Sequence, residues 1–131
     1  MKRKYPLRLF LVTIVFVFFG FSKMGAQLTD SFAKVDIVTG LSNATNFKFA
    51  PDGRIFILDR FGEILLYKPD QQLTVSAGVL PVYHEHEDGL VGIAVDPDFE
   101  SNNKIYLHYA PIDFVGYRVS RFSVNGDQID F

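Results

Sequence analysis

The chain of 131 residues contains no cysteine. That excludes a disulfide framework. It also excludes the acylated cysteine that anchors a bacterial lipoprotein. No acidic residue occurs in positions 1–26, and no stretch after them is apolar for long enough to span a bilayer. No helical period runs through residues 27–131. A Gly-rich phosphate loop, a nucleophile elbow and a Cys/His triad are all absent from the sequence.

The first 26 residues have three parts. Lys2, Arg3, Lys4 and Arg8 form a basic region, and Leu9 to Phe21 is apolar except for Thr13 and Gly20. Ser22-Lys23-Met24-Gly25-Ala26 then ends in small residues. This is the layout of a secretory signal peptide (residues 1–26), with cleavage expected after Ala26 and Gln27 left first. The apolar run is short of the roughly 20 residues that a spanning helix needs. A periplasmic or secreted protein follows, with no stable membrane span after cleavage. Five of the 13 Lys and Arg lie in the signal segment, so residues 27–131 hold eight of them against 15 Asp and Glu, a net charge of −7. An acidic surface disfavours nucleic acid, because phosphate binding needs clustered cations.

The remaining 105 residues read as short strands between turns. Expected strands are Lys34–Val38, Asn46–Ala50, Arg54–Asp59, Glu63–Lys68, Leu73–Val75, Val79–Tyr83, Leu90–Val95, Lys104–Tyr109 and Tyr117–Val124. Leu90–Val95 has the apolar run of a strand buried on both faces. Turns are expected at Pro51-Asp52-Gly53, Phe61-Gly62, Asp96-Pro97-Asp98-Phe99 and Asn125-Gly126-Asp127. Period-2 alternation predicts Phe49, Ile55, Ile57, Leu65, Ile93, Val95, Ile105 and Leu107 inside an antiparallel meander.

A repeat narrows the all-β options. Phe47-Lys48-Phe49-Ala50-Pro51-Asp52 leads through a turn to Arg54-Ile55-Phe56-Ile57, and Ile93-Ala94-Val95-Asp96-Pro97-Asp98 leads through a longer turn to Lys104-Ile105-Tyr106-Leu107. Pro51 and Pro97 are 46 positions apart, and a four-stranded propeller blade takes roughly 40–50 residues. At that spacing the chain makes about two blades, whereas a closed propeller needs at least about four. The expectation is therefore an incomplete propeller.

His84-Glu85-His86-Glu87-Asp88 is the densest polar cluster. It is either a pocket rim, with carboxylates for a sugar hydroxyl, a proton or calcium, or a solvated loop before a buried strand. In an extended segment His84 and His86 would share one side, and Glu85 and Glu87 the other. Two histidines without a third placed ligand do not make a zinc site. Asp96 and Asp98 flank a proline and read as turn residues, since calcium needs six or more oxygens. His108 sits in a strand pattern. Asn43-Ala44-Thr45 fits a glycosylation sequon, which matters only in a host with that machinery.

Three further segments share one resemblance. Phe49-Ala50-Pro51-Asp52-Gly53-Arg54-Ile55-Phe56 and Asp59-Arg60-Phe61-Gly62-Glu63-Ile64 carry part of it. Glu87-Asp88-Gly89-Leu90-Val91-Gly92-Ile93-Ala94-Val95-Asp96-Pro97-Asp98-Phe99 carries most. With Ile105-Tyr106-Leu107-His108-Tyr109 and Arg118-Val119-Ser120-Arg121-Phe122, they make the chain from about Phe32 onward resemble the glucose/sorbosone dehydrogenase family. The resemblance implies the first blades of a six-bladed β-propeller over residues 27–131, preceded by a signal-peptide helix. It implies pyrroloquinoline quinone as cofactor, often calcium, and oxidation of a small sugar (an aldose) at its anomeric carbon. The family's catalytic base is a histidine in a later blade, beyond residue 131, so no catalytic residue is expected here and no cofactor-binding one is assigned. Where the glucose enzyme has Gln and Asn before the Gly-Leu segment, this chain has Glu87 and Asp88, which become the substrate-pocket candidates. The alternatives are an exported propeller without catalysis that binds a carbohydrate or a protein, and a propeller hydrolase of the calcium lactonase kind.

Overall fold

Pro51, Asp52 and Gly53 supply what a tight reversal needs, a preset φ, a side-chain acceptor and freedom at positive φ. Gly53 has φ +87. The Asp52 carboxylate accepts the Arg54 N–H at 3.1 Å, and Ala50 N donates to Arg54 O at 2.8 Å. Strand β1 (Ala44–Phe49) therefore folds back onto β2 (Ile55–Asp59). Strands β3 (Glu63–Lys68) and β4 (Leu73–Val79) extend the meander, joined by a short 3-10 turn, Pro69–Gln71. A second meander holds β5 (Leu90–Val95), β6 (Lys104–Tyr109), β7 (Arg118–Asn125) and β8 (Gln128–Asp130). Helix α1 (Phe99–Asn102) fills the β5–β6 reversal. The computed structural model describes residues 32–131, so the segment read as a signal peptide lies outside the described residues. Phe32–Val35 is irregular and exposed, and Asp36–Phe131 forms a separate compact unit.

Each sheet has four antiparallel strands in chain order. The first strand of each carries a bulge at the same place. Register shifts between Ala44 and Asn46 in β1, and between Leu90 and Gly92 in β5. The skipped residues, Thr45 and Val91, are 46 positions apart, the same interval as the two prolines. The bulges meet, with Thr45 Oγ1 donating to Leu90 O at 2.7 Å and Asn46 Nδ2 to Val91 O at 3.4 Å. The repeat is thus structural, including its irregularities.

Alternate side chains of the two sheets form one core between them. Phe56, Leu58, Ile64, Leu66 and Ala77 of the first sheet meet Leu90, Ile105, Leu107, Tyr109, Val124 and Ile129 of the second. Phe99 of α1 is 1% exposed and sets its ring edge-on to Phe56, centroids 6.2 Å apart. At about 25 cal/mol per Å² of apolar area this shared layer is the main stabilising term. At one end of the sheets, Lys68 Nζ reaches Asp127 Oδ2 at 2.6 Å, and Arg54 Nη1 donates to Gly126 O at 2.5 Å.

Several sequence expectations need correction. Lys34–Val38 is not a strand. One strand, Leu73–Val79, replaces the two short ones, and Leu80–Tyr83 is irregular. Of the residues expected inside, Ile55, Ile57, Ile105 and Leu107 are buried, whereas Leu65, Ile93 and Val95 are half-buried. Phe49 is 59% exposed because β1 is the outer strand of its sheet and all six of its residues are exposed, whereas Ile55 and Ile57 on the same face of β2 are buried. Leu90–Val95 is not buried on both faces, since Ala94 is exposed on the face of the second sheet that turns away from the core.

Candidate functional site

The β2–β3 turn, the β4–β5 connection and the β6–β7 loop come together at the end of the sheets opposite Asp127. Gly62 makes the first turn possible, with φ +99 and Leu80 O only 2.1 Å from where a Cβ would stand. Leu80 N donates to Gly62 O at 2.9 Å, which sends the chain toward Glu85–Asp88. That segment is a turn rather than an extended run, closed by Asp88 N donating to Glu85 O at 3.0 Å. His86 has φ +55, a left-handed conformation unusual outside glycine. The alternation expected of His84, Glu85, His86 and Glu87 therefore does not hold.

The two pocket candidates part company. Asp88 is half-buried and lines a cleft of about 490 Å³ with Tyr83, Pro111, Ile112, Phe114 and Gly116 among its walls. Glu87 is exposed in the adjacent turn and does not line the cleft. Asp88 Oδ1 accepts the Tyr117 hydroxyl at 2.5 Å. The Tyr117 ring lies 5.1 Å from the His108 ring. That hydrogen bond raises the Tyr117 pKa above its ordinary value, helped by burial and by the charges of Asp88 and Glu87. The pair therefore keeps the phenol protonated and the carboxylate fixed, with Asp88 Oδ2 left to accept a hydroxyl from a ligand. Tyr117 and Arg60 belong to the site but were not singled out in the sequence. Tyr117 lies 29 positions from Asp88, and nothing in a linear pattern joins them.

His84 and Asp96 serve structure. His84 Nδ1 lies 3.2 Å from Val82 O, and its ring meets Phe61 edge-on. Asp96 Oδ1 accepts Asn102 Nδ2 at 2.9 Å and Asp98 N at 3.0 Å, and its Oδ2 accepts the Tyr106 hydroxyl at 2.8 Å. These bonds lower the Asp96 pKa and explain the turn without a cation. Among the described residues no cluster of three His, Cys, Asp or Glu side chains could hold a metal ion. No described helix is long and apolar enough to cross a membrane.

Two four-stranded meanders packed face to face, repeating every 46 residues, define the class: these are blades of a β-propeller. Residues 41–130 match the model of the glucose/sorbosone dehydrogenase family, and the chain belongs to that family. It is similar to an oxidoreductase (glucose dehydrogenase) from Thermus thermophilus, at 29% identity and a TM-score of 0.66. That match covers 72% of this chain and 28% of the other. A solved glucose dehydrogenase matches at 28% identity and a TM-score of 0.64, over 71% of this chain and 28% of its own. The quinone-bound aldose sugar dehydrogenase of Streptomyces coelicolor shares the fold, with a TM-score of 0.62 and 24% identity over 71% and 29% of the two chains. The chain thus spans less than a third of the length of these structures.

Proposed function

We propose that this chain supplies part of the sugar-binding rim of an exported aldose dehydrogenase that uses pyrroloquinoline quinone. The observation that carries the reading is Asp88, held by Tyr117 in the wall of the cleft, inside the segment that matches the family. A fixed carboxylate accepts hydrogen bonds from sugar hydroxyls, and the rings of Tyr83 and Phe114 at the cleft offer faces for C–H contact. In this reading Asp88 orients the sugar, Tyr117 holds Asp88, and Glu87 meets solvent-side hydroxyls. The catalytic histidine belongs to a part of the propeller beyond residue 131.

The quinone itself does not fit these residues. Its three carboxylates call for cations, and the rim presents Glu85, Glu87 and Asp88, with the Arg60 guanidinium turned to backbone carbonyls. No step through the quinone is assigned to this rim; support for the cofactor is the family and the quinone-bound neighbour. The basic and apolar parts of residues 1–26 support export and a periplasmic or secreted location.

The same acidic rim favours a second reading, an exported propeller that binds carbohydrate without redox chemistry. The full-length protein, supplied with quinone and calcium, separates the two in a dye-reduction assay across a panel of aldoses. The enzyme reading expects quinone-dependent turnover and a drop of about tenfold in kcat/KM for Asp88→Asn. Sugar binding by calorimetry with no dye reduction for any aldose would leave the binding reading. Mass spectrometry of the exported protein should find Gln27 first.

A further inference from the structure

The Glu85–Leu90 segment is held from an unexpected place, the β2–β3 turn of the other sheet. Arg60 sends Nη1 to His84 O at 3.1 Å, to His86 O, and to Asp88 O at 3.4 Å. Its own carbonyl accepts Leu90 N at 3.0 Å. Gly89, at φ +145, lies so close that a Cβ there would stand 2.3 Å from Arg60 O and 2.7 Å from Arg60 Cγ. Side chain and backbone of one residue therefore grip both flanks of Glu87 and Asp88. The guanidinium also lies 4.9 Å from the centre of the Phe61 ring, whose edge meets His84.

The grip has something to hold. Three carbonyls converge on one nitrogen, an arrangement that repels itself without a cation between the oxygens. Between them His86 takes a left-handed conformation that a side chain disfavours. A turn so built opens when its cation is removed.

We propose that Arg60 is the positioning residue of the rim, fixing Glu87 and Asp88 in register with the cleft. The proposal rests on the reading of that rim as a sugar site, and its test separates the two. In the full-length protein, hydrogen exchange is followed for residues 84–90 and for β2 and β3, and the Kd for D-glucose is measured by calorimetry. Arg60→Ala should speed exchange at residues 84–90 by about tenfold, leave β2 and β3 within about twofold, and raise the Kd by about tenfold. Arg60→Lys should recover part of both effects, because an ammonium also places several donors at one nitrogen. His86→Gly in the Arg60→Ala background should recover part of the loop protection, since glycine adopts positive φ without steric cost. Unchanged exchange at residues 84–90 in Arg60→Ala, or acceleration spread evenly over the protein, overturns the proposal. A loosened loop with unchanged glucose affinity would keep the grip but refute the sugar reading of the rim.

Discussion

The two sheets share a backbone plan and differ on the faces turned away from their common core. On the first, Phe47, Ile57 and Leu65 stand in one row across three strands, and Phe49, Ile55 and Tyr67 in the next. On the second, the rows turned away are Ala94, Tyr106 and Arg121, then Gly92, His108 and Val119. One face is a hydrocarbon surface with Phe47 and Phe49 each 59% exposed. The other satisfies itself through polar contacts, with Asp96 bonded to Tyr106. The repeat puts Phe47 and Phe49 where the second sheet has Ile93 and Val95, so the two outward faces are opposite faces of one plan, and the apolar one is the face that in the second sheet meets its neighbour.

The largest expected effect tests the core against the first outward face. Phe56→Ala should destabilise the protein by about 3–5 kcal/mol, because Phe56 is fully buried against Phe99. Phe49→Ala should cost no more than about 1 kcal/mol. Urea denaturation measures both, and equal losses would mean that the outward face is packed as tightly as the core. Next come two turn glycines, one from each sheet. Gly62→Ala should cost about 2–3 kcal/mol, from positive φ and collision with Leu80 O. Gly126→Ala, at φ +61 in open space, should cost about 1 kcal/mol.

The second face should answer to pH. Asp96 is held below its ordinary 3.8 by hydrogen bonds from Asn102, the Asp98 N–H and Tyr106, so its contribution is present above 3.8 and lost as pH falls through the folded value. Tyr106 is raised above 10.0 by its bond to Asp96, so its contribution is present below 10.0 and lost as pH rises through the folded value. Asp96→Asn should flatten the acid limb of a stability–pH curve and return tyrosinate absorbance at the alkaline end toward lower pH. Phe47 and Phe49 carry no proton, so replacing both with Ser should leave that curve's shape alone. The double change should instead lower the binding of an apolar dye, the smallest effect of the set.

How much of this could be read from the chain alone differs by level. Strand β3 was expected over Glu63–Lys68, where it lies, because its ends are set by local turn chemistry. The 46-residue repeat was legible for the same reason. Phe99 was read as a turn residue, yet it is among the most buried side chains, since a helix of four residues is too short to show a period. Phe49 was expected inside because alternation distinguishes two faces without telling which one meets a neighbour. At the cleft, the resemblance offered Glu87 and Asp88 together, and only the fold places Asp88 in the lining. Its partner Tyr117 and the contacts of Arg60 were not legible, because side-chain contacts between distant loops exist only once the sheets have packed.

Strand β2 has an arginine just outside each end, Arg54 and Arg60, and both reach into the second sheet. Arg54 bonds Gly126 at one end and Arg60 the His84–Asp88 loop at the other. Five residues therefore act as a crossbar, bolted at both tips to the neighbouring blade. The two contacts are spaced by the length of that single strand. A one-residue insertion in β2 would move one bolt off its seat and turn the side chains beyond it to the other face.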